Sequence, residues 1–136
     1  VATPKQLVEY WKPRLHLEHW DIFVDTRKKC LAEDPEVMAS SDCQPNYFEA
    51  RITIYPPYRK ADVRYRKAVV LHELLHCVVE GLHLSGVEAL RANVKDQKVL
   101  DAHEDHLAAE RERVTEHMTK VVWALSGEAP LESKKG

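Results

Sequence analysis

Ala68-Val69-Val70-Leu71-His72-Glu73-Leu74-Leu75-His76-Cys77-Val78-Val79 decides the reading of this chain. Wound at 3.6 residues per turn it is apolar nearly all round, which marks a central, buried helix. Asp62 stands where a cap belongs and Gly81 where a helix stops, so the pattern predicts a helix from Asp62 to Gly81. His72, Glu73 and His76 interrupt the apolar run, and each is costly to bury unless it is paired or metal-bound. Together they read HExxH. Residues four apart share one helix face about 6 Å along the axis, so both imidazoles can reach one metal ion. Glu73, one step round, can accept a proton from water held there. Chance alone would produce the pattern in about one chain of this composition in twenty. Its weight therefore comes from where it lies, in the most apolar helix. The plain alternative is a pair of core histidines bonded to backbone and to Glu73.

Working outward, His19 to Thr26 and Glu49 to Tyr55 alternate in polarity and read as strands, the second ended by Pro56-Pro57. Thr3-Pro4-Lys5-Gln6 reads as a helix start, with the helix running toward Trp11 and Pro13 interfering beyond it. Cys30 to Asn46 is polar, with Pro35 and Pro45, and carries only a weak helical stretch. Gly81 to Asp101 reads as a long connection with helical pieces around Val87 to Arg91. A charged helix follows from Ala102 to Leu125, its apolar stripe formed by Leu107, Val114, Met118, Val121, Val122 and Leu125. From Ser126 the periodicity is gone and a frayed tail is expected. The division is thus one domain over 1–125 and a flexible tail over 126–136, with fold class α+β.

The chain has 136 residues, enough for one ordinary domain. Its 20 Lys and Arg nearly balance 22 Asp and Glu, for a net charge of −2, so the basic field that nucleic-acid binding needs is missing. Three cysteines, Cys30, Cys43 and Cys77, with no CxxC spacing, argue against a disulfide scaffold or a sulfur-ligated zinc site. No signal-like segment and no apolar run of bilayer length is evident, so a cytoplasmic protein binding neither membrane nor nucleic acid is expected. Oligomeric state is not readable.

Val69 to His76, preceded by a strand with a Pro-Pro terminus and followed by a Glu-bearing helix, resembles the small gluzincin-type metallopeptidases: minigluzincins, the ImmA/IrrE group and short phage metallopeptidase-like proteins. The resemblance covers about Trp20 to Leu125 in layout. It implies a zincin-like domain with a twisted antiparallel sheet packed on the HExxH helix. It further implies one Zn²⁺ ion held by His72, His76 and a Glu of the last helix, and a cleft strand, here Ala50 to Ile54, that pairs with an extended peptide. The metzincin pattern fits less well. It needs Gly and His where this chain has Val79 and Leu82, and His83 comes one position late.

The third ligand has several candidates. A helical wheel sets Glu110 beside Leu107 and Val114 on the apolar stripe and favours it. The resemblance favours Glu112, because Glu112-Arg113-Val114-Thr115-Glu116 matches the local pattern around a gluzincin ligand, with Glu116 then supporting a ligand histidine. Glu112 is the expected ligand, with Glu110, Glu104, Glu116, His83 and His103 as alternatives. His103 could also face the cleft and steady an oxyanion. Tyr47, Tyr55, Tyr58 and Tyr65 offer hydroxyls for the same role. Cys77 reads as a small core residue, and Arg59, Lys60, Arg64, Arg66 and Lys67 as a solvated basic face. The expected function is a zinc metalloendopeptidase acting on a peptide or protein substrate, with Glu73 as general base. The alternatives are a peptidase-like zinc-binding regulator that cuts little or nothing, and a structural zinc site.

Overall fold

The computed structural model describes residues 2–129 and Leu131. Its elements, in chain order, form a mixed α+β domain. Helix α1 (Pro4–Arg14) starts as its sequence predicts: the Thr3 hydroxyl accepts from the Gln6 N–H and the Gln6 side chain accepts from the Thr3 N–H. It runs past Trp11 because Pro13 lies in the last turn and removes only one backbone bond there. Leu17 N–H then donates to Lys12 O and His16 N–H to Pro13 O, with His16 in the left-handed region at φ 54. This satisfies carbonyls that the helix end would leave open.

Strands β1 (Asp21–Thr26), β2 (Ala39–Gln44) and β3 (Glu49–Ile54) make one sheet in the order β1-β3-β2. β1 and β3 run parallel, with Asp21 opposite Glu49 and Thr26 opposite Ile54. β2 and β3 run antiparallel, with Ala39 opposite Ile54 and Gln44 opposite Glu49. The sheet is therefore mixed, not antiparallel as expected, and its third strand lies where only a weak helical stretch was read. The short turn through Pro45–Tyr47, closed by Phe48 at φ 50, folds β2 back on β3 as a hairpin. β3 is thereby left central, with both edges paired. Ala50, Ile52 and Ile54 are its buried side.

A short helix α2 (Pro57–Lys60) leads to α3 (Val63–Asn93), where the Asp62 carboxylate accepts from the Arg64 N–H. After residues 94–96, Asp96 caps α4 (Gln97–Leu125), which returns along α3. Both helices are longer than predicted: α3 passes through Gly81, and α4 starts before Ala102. A glycine inside a helix costs only about 1 kcal/mol, less than the packing along this hairpin contributes. Gly81 faces Pro45, and Gly86 lets Leu107 come close. At about 1.5 Å per residue, α3 outruns the six-residue strands by far, so its second half and the first half of α4 project as a two-helix arm.

The core lies between the sheet, α1 and the first half of α3. Trp11, Ile52, Ile54, Val70, Leu71, Leu74 and Leu75 are sealed from solvent, each contributing about 1.5–3 kcal/mol relative to exposure. The Trp11 indole N–H donates to Lys67 O, and its ring meets Trp123 of α4. Contrary to the expectation from sequence, α3 is long and apolar enough to cross a membrane by length and composition. Here the core takes up Val70, Leu71, Leu74 and Leu75 of its first half, while Val63, Val78, Leu82 and Leu84 are exposed. The residues after α4 are held to the fold as well: Glu128 accepts from Lys67 and Tyr10, Ala129 O accepts from the Trp123 indole, and Leu131 packs on the core. Pro130 and the tail expected over 132–136 lie outside the described residues.

Candidate metal centre

The first half of α3 carries His72, Glu73 and His76 along the floor of an open cleft of about 1210 Å³. One wall is β2 with the residues before it, Val37 to Cys43; the other is α4, through Arg111, Glu112, Glu116, Thr119 and Trp123. As β2 is an edge strand, its free edge borders this cleft. The expectation that Ala50 to Ile54 would hold an extended peptide is thereby corrected, because β3 has no free edge.

Within the HExxH turn, the ligand atoms of His72, Glu73 and His76 lie within 4.8 Å of one another. The two imidazoles stand edge to face with ring centres 5.0 Å apart. Across the cleft, the Glu112 carboxylate bridges them: Oε2 is 3.6 Å from His72 Nε2 and Oε1 is 3.3 Å from His76 Nε2. Glu116, one helical turn later, places Oε2 3.1 Å from His72 Nδ1. That carboxylate is placed to accept a proton from His72 Nδ1, an arrangement that would leave the Nε2 lone pair for a metal. Thr119 Oγ1 also comes within 3.4 Å of His72 Nδ1 while donating to Thr115 O.

Glu73 is 6% exposed. Burial pushes its carboxyl up to about 7; a hydrogen bond with Ser41 of β2 pulls against this, and the Glu112 charge adds to it. Among the described residues its Oε2 has no hydrogen-bond partner. His76 is shifted the other way: burial holds its imidazole below the ordinary value, the Glu112 charge opposing and the charges of His72 and Arg111 reinforcing the fall. A neutral imidazole is the form that ligates a metal. Cys77 points to the opposite partner, Cys43, whose hydrogen bond together with burial keeps the thiol well above its usual value. As a neutral core thiol it is no metal ligand.

His72, Glu73 and His76 form a group that could hold a metal ion. Donors about 2.0–2.1 Å from one tetrahedral ion stand about 3.3 Å apart, close to the 3.6 and 3.3 Å separations here. The buried and unpartnered Oε2 of Glu73 calls for a polar partner in the same place.

The remaining sequence candidates are dispersed. Glu110, favoured by the wheel, turns away and pairs with Arg113 at 2.8 Å, and Glu104 pairs with Arg91 on the arm. His103 lines a small groove between α3 and α4 with His106 and Leu107, so it faces no part of the cleft. His83 is half-buried farther along α3 and outside the cleft lining. Of the four tyrosines, Tyr65 lines the cleft, Tyr55 meets Ser40, Tyr47 is exposed on the hairpin turn, and Tyr58 is buried. The wheel failed because the inward face of α4 takes in only part of its apolar stripe, such as Met118 and Val122. Val114, Val121 and Leu125 are exposed, while Thr115, Thr119 and Trp123 are buried.

Sequence reasoning missed Ser41 and Cys43, since β2 was not recognised, and Thr115 and Thr119. The threonines could have been found from their spacing, because Glu112, Thr115, Glu116, Thr119 and Trp123 repeat at three and four residues. No protein-family model, curated protein or solved structure matches this chain.

Proposed function

We propose that the protein is a zinc-dependent metallopeptidase of gluzincin type, with His72, His76 and Glu112 as metal ligands. The observation that carries this reading is the convergence of both histidine Nε2 atoms on the two oxygens of Glu112, a residue of a different helix, beside the buried Glu73. A salt-bridged surface cluster would not need the carboxylate to span two imidazoles, nor a third carboxylate, Glu116, behind one of them.

When bound, zinc acidifies a water molecule and polarises a carbonyl. The chain supplies the rest. Glu73, titrating near 7, is suited both to take a proton from the attacking water and to return it to the leaving amine. Glu116 holds the His72 ring. An extended peptide can add to the free edge of β2, its backbone hydrogen-bonded and its side chains placed alternately toward and away from the floor.

The test is Glu73→Gln, comparing zinc content with cleavage of a peptide library by wild type and variant. The expected result is zinc retained and turnover lowered by about 10²-fold or more. Full zinc occupancy with unchanged turnover would exclude Glu73 as the base, and zinc binding by a wild type that cleaves nothing would favour the regulator reading.

A further inference from the structure

Beside this site lies a second constellation that the proposed chemistry does not use. Cys43 of β2 and Cys77 of α3 bring their Sγ atoms to 3.3 Å. The pair matches the spacing of the two elements. Ser41 and Cys43 are two apart on one face of a strand, about 6.7 Å; Glu73 and Cys77 are four apart on one face of a helix, about 6 Å. Cys43 meets Cys77, so the thiol contact ties β2 to α3 beside Glu73. The two thiols also differ in access. Cys43 is half-buried and lines the open cleft, whereas Cys77 is 3% exposed and does not line it. Cys30, the remaining cysteine, is exposed on the loop between β1 and β2.

We propose that Cys43 and Cys77 are a disulfide-forming site, oxidised by thiol–disulfide exchange with a low-molecular-weight disulfide that enters the cleft, and that the bond pins the cleft wall β2 to α3 one helical turn from Glu73. The sequence of steps follows from access. Cys43 sulfur attacks one sulfur of the incoming disulfide, whose S–S bond breaks and releases one small thiol. Once Cys43 carries the mixed disulfide, its thiol no longer bonds Cys77; Cys77 gives up its proton and its sulfur attacks the Cys43 sulfur, the mixed S–S bond breaks, the Cys43–Cys77 bond forms and the second small thiol leaves. Two protein thiols are oxidised, one small disulfide is reduced, and the two cysteine protons leave on the two released thiols. No metal is involved, so the site stands or falls apart from the peptidase reading.

The experiment uses oxidised glutathione with the folded, full chain, followed by alkylation under denaturing conditions and peptide mapping without reduction. The expected product is a Cys43–Cys77 crosslinked peptide pair, formed equally in Cys30→Ser, with a Tm raised by roughly 10 °C and restored by dithiothreitol. Cys77→Ala should stop at a glutathione adduct on Cys43. Recovery of wild-type Cys77 as an alkylated thiol beside a glutathionylated Cys43 would overturn the proposal, as would a crosslink that lowers Tm.

Discussion

Replacing Glu73 by Gln in the metal-free protein should change how stability depends on pH, with a sign set by burial. The Glu73 carboxyl titrates at about 7 in the fold against 4.5 as an ordinary glutamate. Its folded value is raised, so between those values the folded chain holds a proton that the unfolded chain has released, and stability is lost as pH rises through that window. A difference of about 2.5, at about 1.36 kcal/mol per pH interval of one, amounts to roughly 3 kcal/mol lost by pH 8. In the Glu73→Gln variant the side chain stays neutral throughout. It gives up roughly 1 kcal/mol at every pH, because Oε2 has no partner and an amide N–H there would have none either. The variant should therefore be nearly as stable as wild type at pH 5, where the wild type has already lost roughly 0.8 kcal/mol, and about 2 kcal/mol more stable at pH 8. Urea unfolding followed by circular dichroism, in EDTA so that no cation stabilises the carboxylate, gives both numbers. His76 contributes a slope of the opposite sign, since burial holds it below its ordinary value, but it does so in both proteins and cancels in the difference. Parallel stability curves from pH 5 to 8 would refute the account of Glu73 as a carboxyl made costly to ionise by burial.

Three further outcomes are expected. In zinc titrations against a chromophoric chelator, Glu112→Gln should weaken binding by more than about 100-fold, whereas Glu110→Gln, half-buried and paired with Arg113, should stay within about twofold; equal losses would remove Glu112 from the ligand set. Glu116→Gln in the same titration should cost about 10–100-fold, the effect of losing a carboxylate that orients a ligand histidine; no loss would leave His72 Nδ1 without an orienting role for Glu116. Gly81→Ala should raise Tm by about 2–4 °C, because the added Cβ would meet Pro45 Cβ at 3.9 Å, an ordinary contact, while helix propensity improves by about 0.5–1 kcal/mol; a fall in Tm would show that α3 and the hairpin turn are packed more tightly than that.

The central helix, β1, β3 and the start of α1 were legible because each carries a local signal that tertiary structure did not overrule: an apolar run, alternation, or a capping box. β2 was not. Ala39-Ser40-Ser41-Asp42-Cys43-Gln44 has no hydrophobic alternation, since one of its faces lines a polar cleft and its outer edge is free. Its pairing is dictated by the hairpin with β3, a non-local fact that the six residues do not encode. Sheet polarity followed from the same omission: without β2 between them in sequence, β1 and β3 had no reason to be read as parallel. The helix lengths failed for a different cause. Gly81 carries a local stop signal worth about 1 kcal/mol, and the packing of α3 along α4 outweighs it.

The site divides along the same line. HExxH was legible because all its parts share one helical turn, and placing ionisable groups on the most apolar helix is visible without any partner. The carboxylate that faces both imidazoles comes from a second helix, and there the usual rule, that the apolar face points inward, selects Glu110, which instead pairs with Arg113. α4 turns Glu112, Thr115, Glu116 and Thr119 toward α3 because the surface it meets is itself polar: His72 requires a carboxylate at Nδ1, and His72 and His76 together require one between their Nε2 atoms. Thr115 and Thr119 can be buried on that face because each hydroxyl donates to the carbonyl four residues back. Val114, Val121 and Leu125 are left exposed on the other side. Hydrophobic patterning reports which face meets a hydrophobic core. A helix recruited to complete a polar centre obeys the opposite pattern, so on α4 the informative signal was the three-and-four spacing of carboxylates and threonines, with Trp123 marking where the true core resumes.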